Sequence, residues 1–276
     1  MKLHVRAPYL DEWPHCRMLL PETFADAASR EYLLCLREDE PRLVAAVSFR
    51  RQGAEVKNLR IHVVPGFRRR GVASHLVTWL VESGLRMLDG VADTLNEHGV
   101  ASFCERNGFR QVDQLFIVET EGAPMRSYLQ RLRARVQMPA GARLIRLSHA
   151  PREAVARLHA EQIAHSELNP WRAVLAQAQG AAFSPVVMVG DQVAGFIWLE
   201  VEGRTATVHS RVIAPAFRGG WVHVVLFSEA LDIGWEAGCR IARFSYLDSV
   251  RDTQRIAQRF HARTVSVTTH YRREAE

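Results

Sequence analysis

Lysine is almost missing from this chain: of 36 basic residues, only Lys2 and Lys57 are lysine. The formal charge of +6 and the pI near 9.5 therefore rest on arginine. The arginine clusters are short: Arg68-Arg69-Arg70, Arg131 to Arg135, and Arg272-Arg273. No zinc-finger, RRM or leucine-zipper pattern accompanies them, so nucleic acid is not the expected partner. Long apolar runs are missing too. Nowhere do about 18 uncharged apolar residues follow one another, and none stands behind the charges of Met1 to Arg6, which predicts no membrane segment and a cytoplasmic location. Cysteine is scarce, and Cys16, Cys35, Cys104 and Cys239 show no paired spacing. Reduced thiols are expected, with neither a disulfide framework nor a metal site.

What is present is ample apolar material. A chain of 276 residues, 47% of them hydrophobic, can bury the cores of two ordinary domains. Residues 2–6 alternate as a strand does, and Asp11 to Leu20 reads as a short helix. Glu31 to Leu36 and Arg42 to Arg50 flank the turn-forming 37–41, and Glu55 to Val64 reads as a further strand ending at Pro65. From Val72 the apolar residues fall at helical spacing through Leu76, Leu80 and Met87. A strand around Val91 to Leu95, a helix from about Glu97 to Asn107 and a strand from Gln111 to Thr120 follow. Helices and strands alternate, which gives an α/β or α+β class.

The second half repeats the plan. Leu144 to Leu147, the helix Arg152 to Gln162, and strands at 186–189, 193–201 and 205–213 succeed one another, the last running to Pro215 as the earlier one runs to Pro65. At a constant offset of 150, Pro65, Phe67, Arg68, Val72 and Gly84 meet Pro215, Phe217, Arg218, Val222 and Gly234, all identical. An internal duplication is the reading. The expected division is 1–121, a linker helix within 122–141, and 142–276.

The segment that carries chemistry is Ile61 to Ser74, where a strand enters a tight turn and then a helix. Unpaired backbone N–H groups at such a helix start form an anion site. Gly71 lets the backbone approach a pyrophosphate closely, Ala73 keeps the helix entrance open, and Arg68, Arg69 and Arg70 add positive charge.

Here the sequence resembles the GNAT superfamily of acyl-CoA-dependent N-acyltransferases, whose signature is Gln or Arg, two residues, Gly, one residue, then Gly or Ala. Arg68, Gly71 and Ala73 match it. Val63-Val64-Pro65 is similar to the end of the family's fourth strand, which holds the pantetheine arm. Phe103-Cys104-Glu105-Arg106-Asn107-Gly108-Phe109 is similar to its apolar-aromatic helix ending in Gly-Phe. The resemblance implies two tandem GNAT-like domains, each a mixed, mostly antiparallel sheet flanked by helices. It implies acetyl-CoA or another acyl-CoA as co-substrate without a metal, and a small-molecule or peptide amine as acceptor. The cofactor residues it implies are Val63, Val64, Arg68, Arg69, Arg70, Gly71, Val72, Ala73 and Ser74.

Two departures matter. The family often carries a tyrosine after the helix aromatic to protonate the departing thiolate, and Cys104 stands there, a residue that reads as a packed apolar one or as a proton donor. In the second half Trp221 replaces the glycine and His223 the small residue, so that half is expected to lack a cofactor site. Phe260-His261 is read as its counterpart of the helix aromatic pair. Amine deprotonation needs a base. On the fourth strand Lys57, Leu59 and Ile61 share the parity of Val63 and offer none, which leaves Glu97, at a later strand-to-helix junction, as first candidate; in the second half His209 stands at the place equivalent to Leu59. Glu22 and Asp26 lie where the family lines its acceptor cleft. A non-catalytic acyl-CoA sensor or interaction module, and a tandem enzyme whose second half is catalytic, are the alternatives. Oligomeric state is not legible.

Overall fold

The computed structural model describes residues 2–20, 30–39, 42–93, 95, 99–163, 182–249 and 251–274. Its contacts divide the chain into two compact units, Met1–Gln114 with Thr268–Glu276, and Leu115–Val267. Along the chain come β1 (Leu3–Arg6), α1 (Trp13–Leu19), β2 (Glu31–Arg37), β3 (Leu43–Gln52), β4 (Glu55–Val63), α2 (Val72–Glu82), β5 (Met87–Asp93), α3 (Val100–Arg106) and β6 (Arg110–Glu121). The helix α4 (Gly122–Arg133) leads to β7 (Ala142–Arg146), α5 (Arg152–Ile163), β8 (Pro185–Val189), β9 (Gln192–Glu202) and β10 (Thr205–Ile213). Last are α6 (Trp221–Glu236), β11 (Ile241–Leu247), α7 (Arg251–Arg259) and β12 (Arg263–Glu274).

In the first unit β1 to β4 pair antiparallel in chain order, while β4 and β5 run parallel. The antiparallel partner of β5 on its other side is β12, from Thr268↔Asp93 to Glu274↔Met87. One face of this sheet packs Val47, Val56, Leu59 and Leu88 against Leu76 and Leu80 of α2. The other packs Leu34 and Ala46 against Cys16 of α1. The second unit repeats the design with β7 to β10 antiparallel, β10 and β11 parallel, and β6 antiparallel to β11 from Leu115 to Glu121. Each unit thus completes its sheet with the sixth strand of the other repeat. The expected division by chain order and the compact units differ for this reason. Helix α4 follows β6 within the second unit, with Met125 and Leu129 buried in that unit's core.

The repeats align with one shift. Pro65 and Pro215 open matching 3-10 turns, but β4 pairs Glu55 with Met87 whereas β10 pairs Thr205 with Ile241, an offset of 154. The extra residues lengthen α6 by about one turn, which keeps the same face on the core. The identity of Gly84 with Gly234 is therefore not an equivalence. Gly84 ends α2 with φ +85, the corresponding cap after α6 is Gly238 with φ +93, and Gly234 sits inside α6 against Ala206.

Strand β4 carries an irregularity that chain parity does not show. Asn58 has φ +53, and the register with β3 skips between Ser48↔Arg60 and Arg50↔Lys57. A bulge reverses the alternation. Val56 and Leu59 consequently share the α2 face with Ile61 and Val63, and Lys57 turns to the opposite face, where its Nζ lies 3.5 Å from Asp89 Oδ2.

Candidate functional site

The loop between β4 and α2 is built by local bonds. Phe67 N–H donates to Val64 O at 2.8 Å, Arg68 N–H to Pro65 O at 3.2 Å, and the Arg68 side chain donates through Nε to Val63 O at 3.1 Å. Arg68 braces the turn against the strand end. Arg69 has φ +60 and Gly71 φ +79, so the chain makes two left-handed steps before the helix begins. The first bond of α2 runs from His75 N–H to Gly71 O at 2.9 Å, leaving the amides of Val72, Ala73 and Ser74 without an acceptor inside the helix. A Cβ built on Gly71 meets nothing within 4 Å. The backbone there faces open space with its amides outward and the positive end of α2 behind them.

Arg69 and Arg70 are exposed, Ala73 and Ser74 half-buried, and the Val72 side chain is buried in the core. Of Val72, then, the amide is what faces the loop. Arg70 lies over the Phe67 ring and, with Gly71, His75 and Lys2, lines an open cleft of about 540 Å³. Beside the loop, β4 and β5 are paired only as far as Leu59↔Gly90. Beyond that point the two parallel strands part, and the edge of Ile61 and Val63 faces the gap just ahead of the loop.

The second unit keeps the frame and changes the contents. Phe217 N–H donates to Ala214 O at 2.8 Å, and Arg218 takes φ −67 and ψ 146 where Arg68 takes −62 and 152. Gly219 then has φ +71, Gly220 is extended, and Trp221 is already the first residue of α6, half-buried against the core. The replacement of Gly71 by Trp221 acts through the backbone: the Trp221 ring packs inward, and the earlier helix start removes the left-handed cap. β10 and β11 also part, after Val208↔Phe244. There Arg211 reaches from β10 to His223 Nε2 on α6 at 3.3 Å and to Thr253 Oγ1 on α7 at 3.2 Å, with its guanidinium 5.4 Å from the Phe227 ring centre. The gap between the two helices is occupied by the protein's own arginine.

Cys104 is buried in the first unit's core, and burial pushes its thiol up to about 12. A group that holds its proton so tightly is a poor acid toward a thiolate whose own reference value is near 8.5. Phe109 N–H donates to Cys104 O, and Ala262 N–H to Ala257 O, both at 2.9 Å. The counterpart of Cys104 is thus Ala257. Phe260-His261 stands at the helix end, where His261 takes φ +48 in the role of Gly108 at +75, and not at the helix aromatic. His209 lies at the β10 bulge with Nε2 2.6 Å from Glu200 Oε2. Glu97, Glu22 and Asp26 lie outside the described residues.

One cluster escaped the sequence. Asp89 on β5 is buried beneath Lys57 of β4, Arg272 of β12 at 3.3 Å, and His270 of β12, whose Nε2 bonds Asp89 Oδ1. The only signal in the chain is a charged residue inside an apolar strand, and its partners lie up to 183 residues away. Tyr271, the next residue of β12, points to the other face into the core that holds Cys104, and burial raises its phenol.

Residues 1–109 match the model of the acetyltransferase (GNAT) family. No curated protein matches the sequence. Among solved structures, a GCN5-related N-acetyltransferase from Sphaerobacter thermophilus is 14% identical with TM-score 0.61, covering 99% of this chain and 95% of that one. A tandem GNAT protein from the clavulanic acid biosynthesis pathway is 16% identical with TM-score 0.61, covering 100% and 99%. A GCN5-related N-acetyltransferase from Kribbella flavida is 14% identical with TM-score 0.56, covering 99% and 72%. Among the described residues no helix is long and apolar enough to cross a membrane, and no cluster of three metal-ligating side chains occurs. The chain as a whole has the fold of tandem GNAT proteins, and its match to the acetyltransferase (GNAT) family model lies in residues 1–109.

Proposed function

We propose that this chain transfers an acyl group, acetyl in the first instance, from acyl-CoA to an amine acceptor, and that the first unit binds the CoA. The observation that carries the reading is the contrast at the two helix starts: free amides and an open left-handed glycine before α2, an inward tryptophan and a bridging arginine at α6. Pyrophosphate would take the amides of Val72, Ala73 and Ser74, with Arg69 and Arg70 adding charge. The pantetheine arm would pair with the edge of β4 at Ile61 and Val63, which carries the thioester into the gap beyond Gly90. The two halves are read as a duplication whose sixth strands were exchanged, and the buried thiols suit a cytoplasmic protein.

The acceptor is a small-molecule or peptide amine, and no nucleic acid or membrane is called for. Calorimetric titration with acetyl-CoA, followed by thiol release with an amine panel, tests the reading. One site per chain with thiol release supports it, and the absence of acetyl-CoA binding sinks it. A second reading, acyl-CoA binding without transfer, draws on the buried thiol of Cys104, and binding without release in any amine would favour it. Catalysis in the second unit draws on His209 and its bond to Glu200, and is opposed by the position of Arg211.

A further inference from the structure

The open cleft beside Gly71 lies on the other side of β4 from the gap toward β5. Its walls are Lys2 and Leu3 at the start of β1, Glu38 just after β2, and Arg70, Gly71 and His75 of the loop and the first turn of α2. These pieces meet because β1 to β4 pair antiparallel in chain order, which brings the start of β1 and the end of β2 to the same edge of the sheet as the end of β4. Glu38 N–H donates to Lys2 O at 3.2 Å and ties that wall together. Two cations and an imidazole, from three separate elements, thus border one volume of about 540 Å³, and Lys2, Arg70 and His75 are all exposed.

The second repeat keeps this corner of the sheet and none of its charge. There Gly190 N–H donates to Gly141 O at 3.1 Å, the same bond at the same place between β8 and β7. Lys2 and Glu38 therefore correspond to Gly141 and Gly190. At the loop, Arg70 and His75 correspond to Gly220 and Val225, and Val225 is buried. All four charged or titratable side chains of the cleft are missing from the repeat whose helix start lacks the left-handed cap. The charge of this corner goes with the anion-binding loop and not with the strand frame that both repeats share.

We propose that this cleft binds the phosphomonoester that CoA carries at the 3′ position of its ribose, and that Lys2, Arg70 and His75 make the first unit selective for CoA over dephospho-CoA. The proposal rests on the acyl-CoA reading above. In CoA that ribose is joined directly to the diphosphate. A ligand with its acyl arm in the β4–β5 gap and its diphosphate on the amides of Val72, Ala73 and Ser74 has its nucleoside end beyond the loop, on the side of the cleft. Gly71 borders both places. A phosphomonoester near neutral pH carries a charge of about −1.5 to −2 and three acceptor oxygens, and donors arriving from β1, the loop and α2 reach it from different directions. Arg70 belongs to the loop and lines the cleft, so its charge serves both phosphates. Glu38, the one acid of the cleft, is an acceptor for a ribose hydroxyl and by repulsion holds the phosphate toward the cations.

The test uses the full chain in calorimetric titrations at low ionic strength, where exposed charges are least screened. The native protein is expected to bind acetyl-CoA about tenfold more tightly than acetyl-dephospho-CoA, and adenosine 3′,5′-bisphosphate is expected to displace acetyl-CoA. The double variant Lys2→Gln, His75→Gln changes two exposed side chains and should keep the native far-UV circular dichroism. It should weaken acetyl-CoA about fivefold and acetyl-dephospho-CoA by less than about twofold, so that the preference narrows. Equal affinity of the native protein for the two forms, or a double variant that weakens both by one factor, would overturn the proposal and leave the acyl-CoA reading standing. Bisphosphate that binds without displacing acetyl-CoA would place the phosphate elsewhere and overturn it as well. Failure of acetyl-CoA itself to bind would instead defeat the acyl-CoA reading, and the selectivity with it.

Discussion

Gly71 and Trp221 occupy the same place in the two repeats and different places in their helices. Gly71 caps α2 from outside with a left-handed backbone, whereas Trp221 is the first residue inside α6. The difference predicts one acetyl-CoA site per chain. Gly71→Trp should abolish binding at that site and leave α2 intact, since a side chain there enters open space. Gly71→Ala should cost about 1 kcal/mol through the left-handed backbone alone and weaken binding less. Calorimetric stoichiometry and far-UV circular dichroism check both variants, and two equivalent sites would contradict the assignment.

Arg211 provides the complementary test. Its removal takes hydrogen bonds from Thr253 and His223 and a cation from the Phe227 face. Arg211→Ala should therefore destabilise the protein by about 1–3 kcal/mol in urea. Acetyl-CoA affinity should stay within about twofold of the native value. Loss of binding in this variant would move the cofactor to the second unit.

Cys104 and Cys35 make stability fall in alkali. Burial holds their thiols up to about 12 and about 11 respectively. In the unfolded chain both lose protons near pH 9, so above that the folded state binds more protons than the unfolded one, and stability falls as pH rises toward 11 to 12. Urea midpoints at pH 8 and pH 10 should separate strongly for the native protein and less for the Cys35→Ala, Cys104→Ala double variant. Cys104→Ala alone should leave kcat within about threefold, and a hundredfold loss with folding retained would make the thiol a proton donor.

Gly234 tests the alignment of the repeats. Alanine inside a helix ordinarily gains about 1 kcal/mol over glycine. Here the added Cβ would stand 2.7 Å from Ala206 Cβ, so Gly234→Ala should destabilise by about 1–2 kcal/mol through overpacking. Ala206→Gly in the same chain should restore part of the loss. An increase in the urea midpoint for Gly234→Ala alone would refute the contact.

The sequence by itself determined the local elements and the loop. Strand, Pro65, arginines, Gly71 and the stripe of α2 are consecutive residues, and the turn they form depends on φ preferences and hydrogen bonds that reach no more than a few positions. The repeat was legible for the same reason, up to the extra turn of α6. Tertiary structure decided the rest. The bulge at Asn58 turned Lys57 away from Leu59, which no alternation count reveals. The exchange of β6 and β12 was set by which edge each strand could pair with, and backbone hydrogen bonds are blind to side-chain identity. His270 meets Asp89 across 181 residues only because β12 pairs with β5. A chain read in order places them in different halves, whereas the sheet places them side by side.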